Sequence, residues 1–183
     1  MRAGIRNGLI GFVLLWLLGA DLRVTILAVP PILPLIHHDL NLDEKMVAAL
    51  TGLPVLLFGL AAIPGSLLIA RLGARRAAMI GVIVVALAGA LRGFGPSLGM
   101  LFGMTALMGA GVAVMQPALP ALVARWFPRR VPLATAIYAN GLLVGEMLAA
   151  SLTIPLILPL IGGSWERSLL VWSAPPLATA VLV

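Results

Sequence analysis

The chain has 183 residues, of which 62% are hydrophobic and only 10% are charged, and its mean hydropathy is +1.15. This composition lies far outside the range of soluble domains, so we expect an integral membrane protein. The net charge of +6 comes from short basic clusters between apolar runs, which excludes the continuous basic surface of a nucleic-acid-binding protein. The lack of cysteine excludes disulfides, cysteine-ligated zinc and thiol catalysis.

Six apolar segments follow one another along the chain. Each is interpreted as a membrane helix, because lipid cannot hydrogen-bond a free backbone amide. About 20 residues cross a hydrocarbon core of about 30 Å, and prolines within such helices are tolerated and mark bends. The predicted helices make residues 1–183 one six-helix transmembrane domain and cover residues 9–36, 47–70, 77–91, 98–123, 133–161 and 169–183.

The basic residues of the connections alternate between the two sides of the membrane. One side holds eight of them, and the other holds three together with four acidic residues. Because cytoplasmic loops carry the excess of Lys and Arg, we predict a multi-pass protein of the cytoplasmic (inner) membrane with its N-terminus in the cytoplasm. The eight are Arg2, Arg6, Arg71, Arg75, Arg76, Arg125, Arg129 and Arg130, and the three are Lys45, Arg92 and Arg167.

A weak internal repeat relates the two halves of the chain. The sequence PILPLI at Pro31–Ile36 corresponds to PALPAL at Pro117–Leu122, and helices 2 and 5 share a Gly-Leu pair and a later Ile-Pro pair. Matching helix 1 with helix 4 and helix 2 with helix 5 gives two three-helix units of opposite orientation, which is typical of transporters. The predicted fold class is therefore all-α, with six transmembrane helices in a 3+3 inverted repeat.

Three ionisable side chains, those of Asp21, Arg23 and Glu146, are predicted near the middle of the membrane. A charge there costs roughly 2.5–3.5 kcal/mol, so each is expected to face a bundle interior or a wet cavity and to be paired. Asp21 and Arg23 are two residues apart, about 200° around the helix, and cannot pair neatly with each other. We expect Glu146, at matching depth, to be the partner of Arg23.

Two interpretations of Arg23 and Glu146 stay open. They form a structural ion pair that locks helices 1 and 5, or Arg23 faces a cavity and attracts an anion while Glu146 or Asp21 balances the charge or carries protons. A guanidinium suits the second role because it stays charged and its fork matches a planar carboxylate-like group. Gln116 in helix 4 is a second candidate substrate ligand, since an amide both donates and accepts, although an interhelical hydrogen bond is the alternative.

Other local patterns predict packing rather than chemistry. GLLVG at Gly141–Gly145, followed by Ala149, predicts close packing of helix 5 against a neighbouring helix. The polar residues of the first external loop, from His37 to Glu44, have no spacing typical of metal ligands and are read as a solvated cap. No nucleophile–base pair, metal motif or phosphate-binding loop occurs, so the sequence predicts no enzyme, no metal and no cofactor.

The stretch GSLLIARLGARRAAMIG at Gly65–Gly81 resembles the cytoplasmic signature of the major facilitator superfamily, roughly Gly-x-x-x-Asp-Arg-x-Gly-Arg-Arg. Ser66 and Ala70 stand where that pattern has its first Gly and its Asp. ADLRVTILAVPPILPLI and GVAVMQPALPALVARWFPRRVPLATAIYANG are similar to helix 1 and to the helix 4–5 region of the cyanate-permease-like branch. The residues that carry the signature, and that the resemblance implies as a cytoplasmic gating loop, are Arg71, Gly73, Arg75 and Arg76.

The resemblance implies a secondary transporter with twelve helices in two six-helix halves around a central cavity, working by alternating access in contact with membrane lipid and a small solute. Helices 1 and 4 are implied to line the cavity and helices 3 and 6 to face lipid, and helices 3 and 6 here hold almost no polar groups. Arg23 becomes a candidate for binding an anionic or polar solute. The second half is expected as a missing C-terminal part or a second six-helix chain; the alternative is a six-helix structural or assembly module.

Overall fold

The computed structural model of the chain describes residues 2–60, 62–95 and 97–182, and only the backbone of residues 2–7 and 62. The predicted topological residues Arg2 and Arg6 therefore have side chains outside the described part. Regular structure within these ranges is entirely helical. The helices are α1 (Arg2–Leu27), α2 (Val29–Leu40), α3 (Glu44–Leu60), α4 (Ala62–Leu72), α5 (Ala74–Leu91), α6 (Leu98–Trp126), α7 (Val131–Leu152), α8 (Leu158–Leu160) and α9 (Trp165–Leu182), with a π-helical segment, Thr153–Ile157, before α8.

Four helical stretches within the described residues are long and apolar enough to cross a membrane, and a fifth is obtained when α3 and α4, whose axes differ by 54°, are counted as one bent span. The helix α9 was predicted as the sixth span but does not reach this hydropathy, because Glu166, Arg167 and two prolines lie within it. The all-helical prediction is confirmed, with four to five candidate spans. The four are Gly8–Leu40, Ala74–Leu91, Leu98–Trp126 and Val131–Leu160.

Prolines explain why the predicted helix 1 is divided. Helicity continues beyond the predicted end to Leu40, but α1 and α2 are separated at Ala28. Pro30 and Pro31 have no N–H, so the carbonyl groups four residues earlier lose their usual hydrogen bonds. The following helix, α3, begins at a cap in which Asp43 Oδ1 accepts the backbone N–H of Met46 at 2.6 Å.

The helix α1 packs along α7 and also contacts α6 and α9, while α5 lies against both α6 and α9. The α1–α7 contact is close: a Cβ atom on Gly141 would run into the carbonyl oxygen of Trp16, and one on Gly145 into that of Ala20. Because residue 16 faces residue 141 and residue 20 faces residue 145, the two helices run parallel. The close packing predicted for GLLVG is therefore confirmed, and its partner is α1.

The predicted helices 3 and 6 hold few polar groups, and those that lie in or directly beside them are buried. Ser168, Ser173 and Thr179 of α9 are buried against neighbouring helices, and Arg92, which directly follows α5, is also buried. Arg92 was predicted in an external connection. It is enclosed because the adjacent Gly93 lies directly against the backbone of Glu166 in α9, which covers the end of α5.

Candidate functional site

A cavity of about 270 Å³ lies between α1, α3, α6 and α7. Three polar side chains reach it: Arg23 from α1, Gln116 from α6 and Tyr138 from α7. Both residues predicted to bind substrate therefore line the same space. The rest of the wall is apolar and consists of Leu22, Phe58, Val112, Leu119, Pro120 and Leu142.

Local structure of α6 explains why Gln116 points into this space. Its neighbour Met115 is fully buried against the core, whereas Gln116 is exposed to the cavity. Pro120 stands four residues later and has no N–H, so it cannot donate the usual helical hydrogen bond to the backbone carbonyl of Gln116. Gln116 thus lines the cavity, and its backbone carbonyl lacks the usual helical donor.

Glu146 does not pair with Arg23 in the structure. Both side chains are described, and no ion pair within 4.0 Å joins them. Because Gly145 is level with Ala20, Glu146 is level with Asp21 rather than with Arg23. Glu146 is half-buried on α7 and is not part of the cavity wall. The expected ion pair is thus not formed, although the expected similarity of depth holds to within about a turn.

Asp21 lies on the opposite side of α1 from the cavity, as the angle of about 200° predicts. Its side chain is 1% exposed and approaches the hydroxyl group of Thr179 in α9. That hydroxyl donates to the carbonyl of Pro175 at 3.1 Å, and Asp21 Oδ2 has no hydrogen-bond partner within the described protein. Asp21 and Arg23 therefore face two different environments, a closed helix interface and an open cavity.

The signature residues Arg71, Gly73, Arg75 and Arg76 form the turn between α4 and α5. Gly73 allows this turn because its φ of +82° is rarely adopted by residues with a side chain. A Cβ atom there would lie 3.8 Å from Arg125 Nη1, so the turn lies beside the end of α6. Two of the predicted cytoplasmic basic clusters thus meet at one end of the bundle. The gating role of this turn stays a prediction.

The polar end of α2, predicted as part of the first external loop, is held by structural contacts. The indole Nε1 of Trp165 donates to Asp39 Oδ2 at 2.9 Å and so ties the end of α2 to the start of α9. His38 Nδ1 lies 3.3 Å from Asp39 Oδ1. Across the described residues no three His, Asp or Glu side chains come together as metal ligands would.

Tyr138 is a cavity residue that the sequence reasoning missed. It is the single tyrosine of the chain, and it lies two residues before Asn140, which accepts a 2.9 Å hydrogen bond from Trp16 Nε1. A polar aromatic residue in an apolar helix was the available signal. It was overlooked because tyrosine is also common at membrane interfaces, and the sequence alone does not separate the two.

A family model described as Major Facilitator Superfamily matches residues 9–183. The chain belongs to the Major Facilitator Superfamily. It is 28% identical to the cyanate transport protein CynX of Escherichia coli over 87% of its own length, and 30% identical to the 2-nitroimidazole transporter of the same organism over 91%. It is also 28% identical, over 83% of its length, to the uncharacterized transporter YycB of Bacillus subtilis.

The matched regions cover 41% of CynX, 42% of the 2-nitroimidazole transporter and 37% of YycB. The chain thus spans about two fifths of the length of these relatives. Family membership confirms the resemblance read from the sequence, including its cyanate-permease-like character, and establishes a multi-pass membrane protein of a transporter family.

Proposed function

We propose that the chain is the N-terminal six-helix half of a secondary active transporter for a small anionic or polar solute. The observation that carries the proposal is the shared cavity of Arg23 and Gln116 in a member of the Major Facilitator Superfamily. In this proposal α1–α9 form six spans as a 3+3 inverted repeat. The half rocks against a second half, supplied by a C-terminal part or by a second six-helix chain, and so exposes the cavity to each side in turn.

The charge of the cavity supports an anion or a strongly polar solute. Arg23 brings a permanent positive charge, and none of the described residues that line the cavity with it is a carboxylate. Gln116 and Tyr138 supply further hydrogen-bonding groups, while the rest of the described wall is apolar. Cyanate is a small anion and 2-nitroimidazole is a small planar molecule with acceptor oxygens, so the solutes named for the two relatives can both accept hydrogen bonds from a guanidinium group.

The orientation we propose places the N-terminus and the turn formed by Arg71, Gly73, Arg75 and Arg76 in the cytoplasm of a cell with an inner membrane. Support comes from the excess of basic residues on that side and from the contact of the turn with the end of α6. This turn is proposed to hold the cytoplasmic side closed in one state. Glu146, half-buried and outside the cavity wall, is the carboxylate proposed to couple transport to protons.

Uptake of labelled cyanate into membrane vesicles that contain the transporter tests the proposal, with 2-nitroimidazole as the neutral comparison. Arg23→Ala removes a charge-assisted contact worth about 1.5–3 kcal/mol, so uptake at limiting solute should fall roughly 10–100-fold. Arg23→Lys keeps the charge and should retain part of it. Arg167→Ala removes an exposed arginine at the outer end and serves as the matched control. Undiminished uptake in a well-folded Arg23→Ala variant would refute the anion site.

A further inference from the structure

A second polar region lies on the other side of α1, where α1, α5 and α9 meet. We name it the rear polar file. Each of its side chains is 3% exposed or less, although the surrounding helices are strongly apolar. Its members are Asp21 and Thr25 of α1, Arg92 at the end of α5, and Ser168, Ser173 and Thr179 of α9.

Contacts order this file along the membrane normal. Arg92 Nη2 donates to the backbone carbonyl of Thr25 at 2.9 Å near the outer end. A Cβ atom on Gly89 would lie 2.7 Å from Ser173 Oγ and 3.8 Å from Thr25 Cγ2, so these two hydroxyl-bearing residues are neighbours. Asp21 follows one helical turn below Thr25. The file therefore runs from Arg92 through hydroxyl groups to Asp21.

The two ends of the file carry opposite charges that are incompletely satisfied. Asp21 Oδ2, Arg92 Nε and Arg92 Nη1 have no hydrogen-bond partner within the described protein, and neither does Ser168 Oγ. A single buried ion without a partner is strongly destabilising, whereas two opposite ions in one enclosed region offset each other. Unsatisfied donors and acceptors in a polar space are also what buried water requires, since it makes about three hydrogen bonds.

We propose that Asp21 and Arg92 form a charge pair that holds α1, α5 and α9 together behind the cavity. Buried water bridges the two by donating to the Asp21 carboxylate, while the hydroxyl oxygens between them, whose protons go to backbone carbonyls, serve as acceptors. Arg92 also caps the interruption of helix 1 at Ala28 through its bond to the Thr25 carbonyl. Asp21 is then compensated by Arg92 and does not neutralise Arg23. The pair belongs to the stability of the fold, so its test is independent of whether the cavity transports an anion.

Thermal unfolding of the purified chain in one detergent, arranged as a double-mutant cycle, tests the pair. Asp21→Asn and Arg92→Gln should each lower the Tm by roughly 6–12 °C, because each leaves an opposite charge buried and alone. The Tm of the double variant should fall by clearly less than the sum of the two single decreases. Arg92→Lys, which keeps the charge, should stay coupled to Asp21. Arg167→Gln, exposed in the first turn of α9, should change the Tm little and show no coupling.

Additive losses in the double variant would overturn the pair, as would an Arg92→Gln chain that unfolds at the same temperature as Arg167→Gln. If the single variants fail to accumulate, yield replaces Tm as the readout. The double variant must then accumulate better than either single variant, and a double variant that is equally absent from the membrane also overturns the proposal. If Asp21→Asn lowers the Tm as much in the Arg92→Lys chain as in the unsubstituted chain, the coupling follows the charge at position 92 and supports a charge pair. If the coupling is lost with Lys, the charge pair is contradicted, because the hydrogen bond of Arg92 to the Thr25 carbonyl alone would then explain the effect of Arg92→Gln.

Discussion

The two faces of α1 carry charges of opposite sign in opposite surroundings. On one face Arg23 borders a cavity of about 270 Å³ together with Gln116 and Tyr138. On the other face Asp21 is 1% exposed and is enclosed by α5 and α9. The charges are only two residues apart in sequence, yet one can meet a solute and the other cannot.

The comparison teaches that depth in the membrane does not decide what an ionisable residue does. Both residues lie near the middle of the first span, and both are costly to place there. We therefore propose a chemical role for Arg23, which reaches the cavity, and a role in holding helices together for Asp21, which is enclosed.

Charge reversal on the two faces should have very different consequences for folding. Asp21→Lys places a second positive charge in the rear polar file with Arg92, and the cost, on the order of 5 kcal/mol, is comparable to the whole stability of a domain. Arg23→Glu changes a side chain that reaches the cavity, and its cost should be about 1 kcal/mol. Size-exclusion profiles of the fluorescently tagged chain should show folded Arg23→Glu and little or no folded Asp21→Lys. Equal yields of the two folded variants would contradict the difference between the two faces of α1.

The position of α1 between the cavity and the rear polar file depends on its close contact with α7. Gly141→Ala should destabilise the chain by about 2–3 kcal/mol, because the new methyl group meets the carbonyl oxygen of Trp16. Gly103 of α6 is the matched control, since a Cβ atom there has nothing within 4 Å. Gly103→Ala should be neutral or stabilising by up to about 1 kcal/mol, because alanine is the better helix former. Similar unfolding temperatures for the two variants would contradict the close packing.

The smallest effects should come from single indole hydrogen bonds. Trp172 Nε1 donates to Thr153 Oγ1 at 2.8 Å in the buried interface, and Trp16 Nε1 donates to Asn140 at 2.9 Å on an exposed surface. Trp172→Phe should cost about 1 kcal/mol because it leaves a buried hydroxyl without its donor, and Trp16→Phe should cost a few tenths of a kcal/mol because the less enclosed Asn140 side chain can reorient. Chemical denaturation of the two variants measures the difference. A larger loss for Trp16→Phe would reverse the expected order.

Much of the fold could be predicted because composition and proline positions act locally. The helical spans, the interruption near Pro30 and Pro31 and the small-residue face of α7 all follow from neighbouring residues in the sequence. The placement of Arg23 and Gln116 in one cavity could also be predicted, since the family resemblance assigns their helices to it. For each of these features the sequence contains both the residue and the neighbouring residues, or the family motif, that explain its placement.

The rear polar file could not be predicted in the same way. Serine and threonine in a membrane helix can satisfy their own hydroxyl groups, as Ser173 does by donating to the Leu169 carbonyl at 2.7 Å. Such residues are therefore equally compatible with lipid and with a buried interface. Arg92 directly follows an apolar helix, where an arginine usually reaches toward the membrane surface. Only the packing of α9 over that helix end shows that it is enclosed.

The expected contact of Arg23 with Glu146 failed for a related reason. Depth can be counted along each helix from the sequence, but the level at which two helices meet depends on which neighbour each helix packs against. The glycine contact places Gly145 level with Ala20, so Glu146 is level with Asp21 and lies one helical turn beyond Leu142, outside the cavity wall. The sequence contained the glycines but not the identity of their partner.

Substituted-cysteine accessibility tests the contrast between the two faces most directly, and the chain has no cysteine of its own to interfere. Arg23→Cys and Gln116→Cys should react with a small, charged methanethiosulfonate added to the protein in vesicles, and a cavity-binding solute should slow both reactions. Asp21→Cys should react at least about 10-fold more slowly, since the reagent needs water-exposed thiolate. Equal rates at positions 21 and 23 would contradict the account, because both side chains would then share one aqueous space.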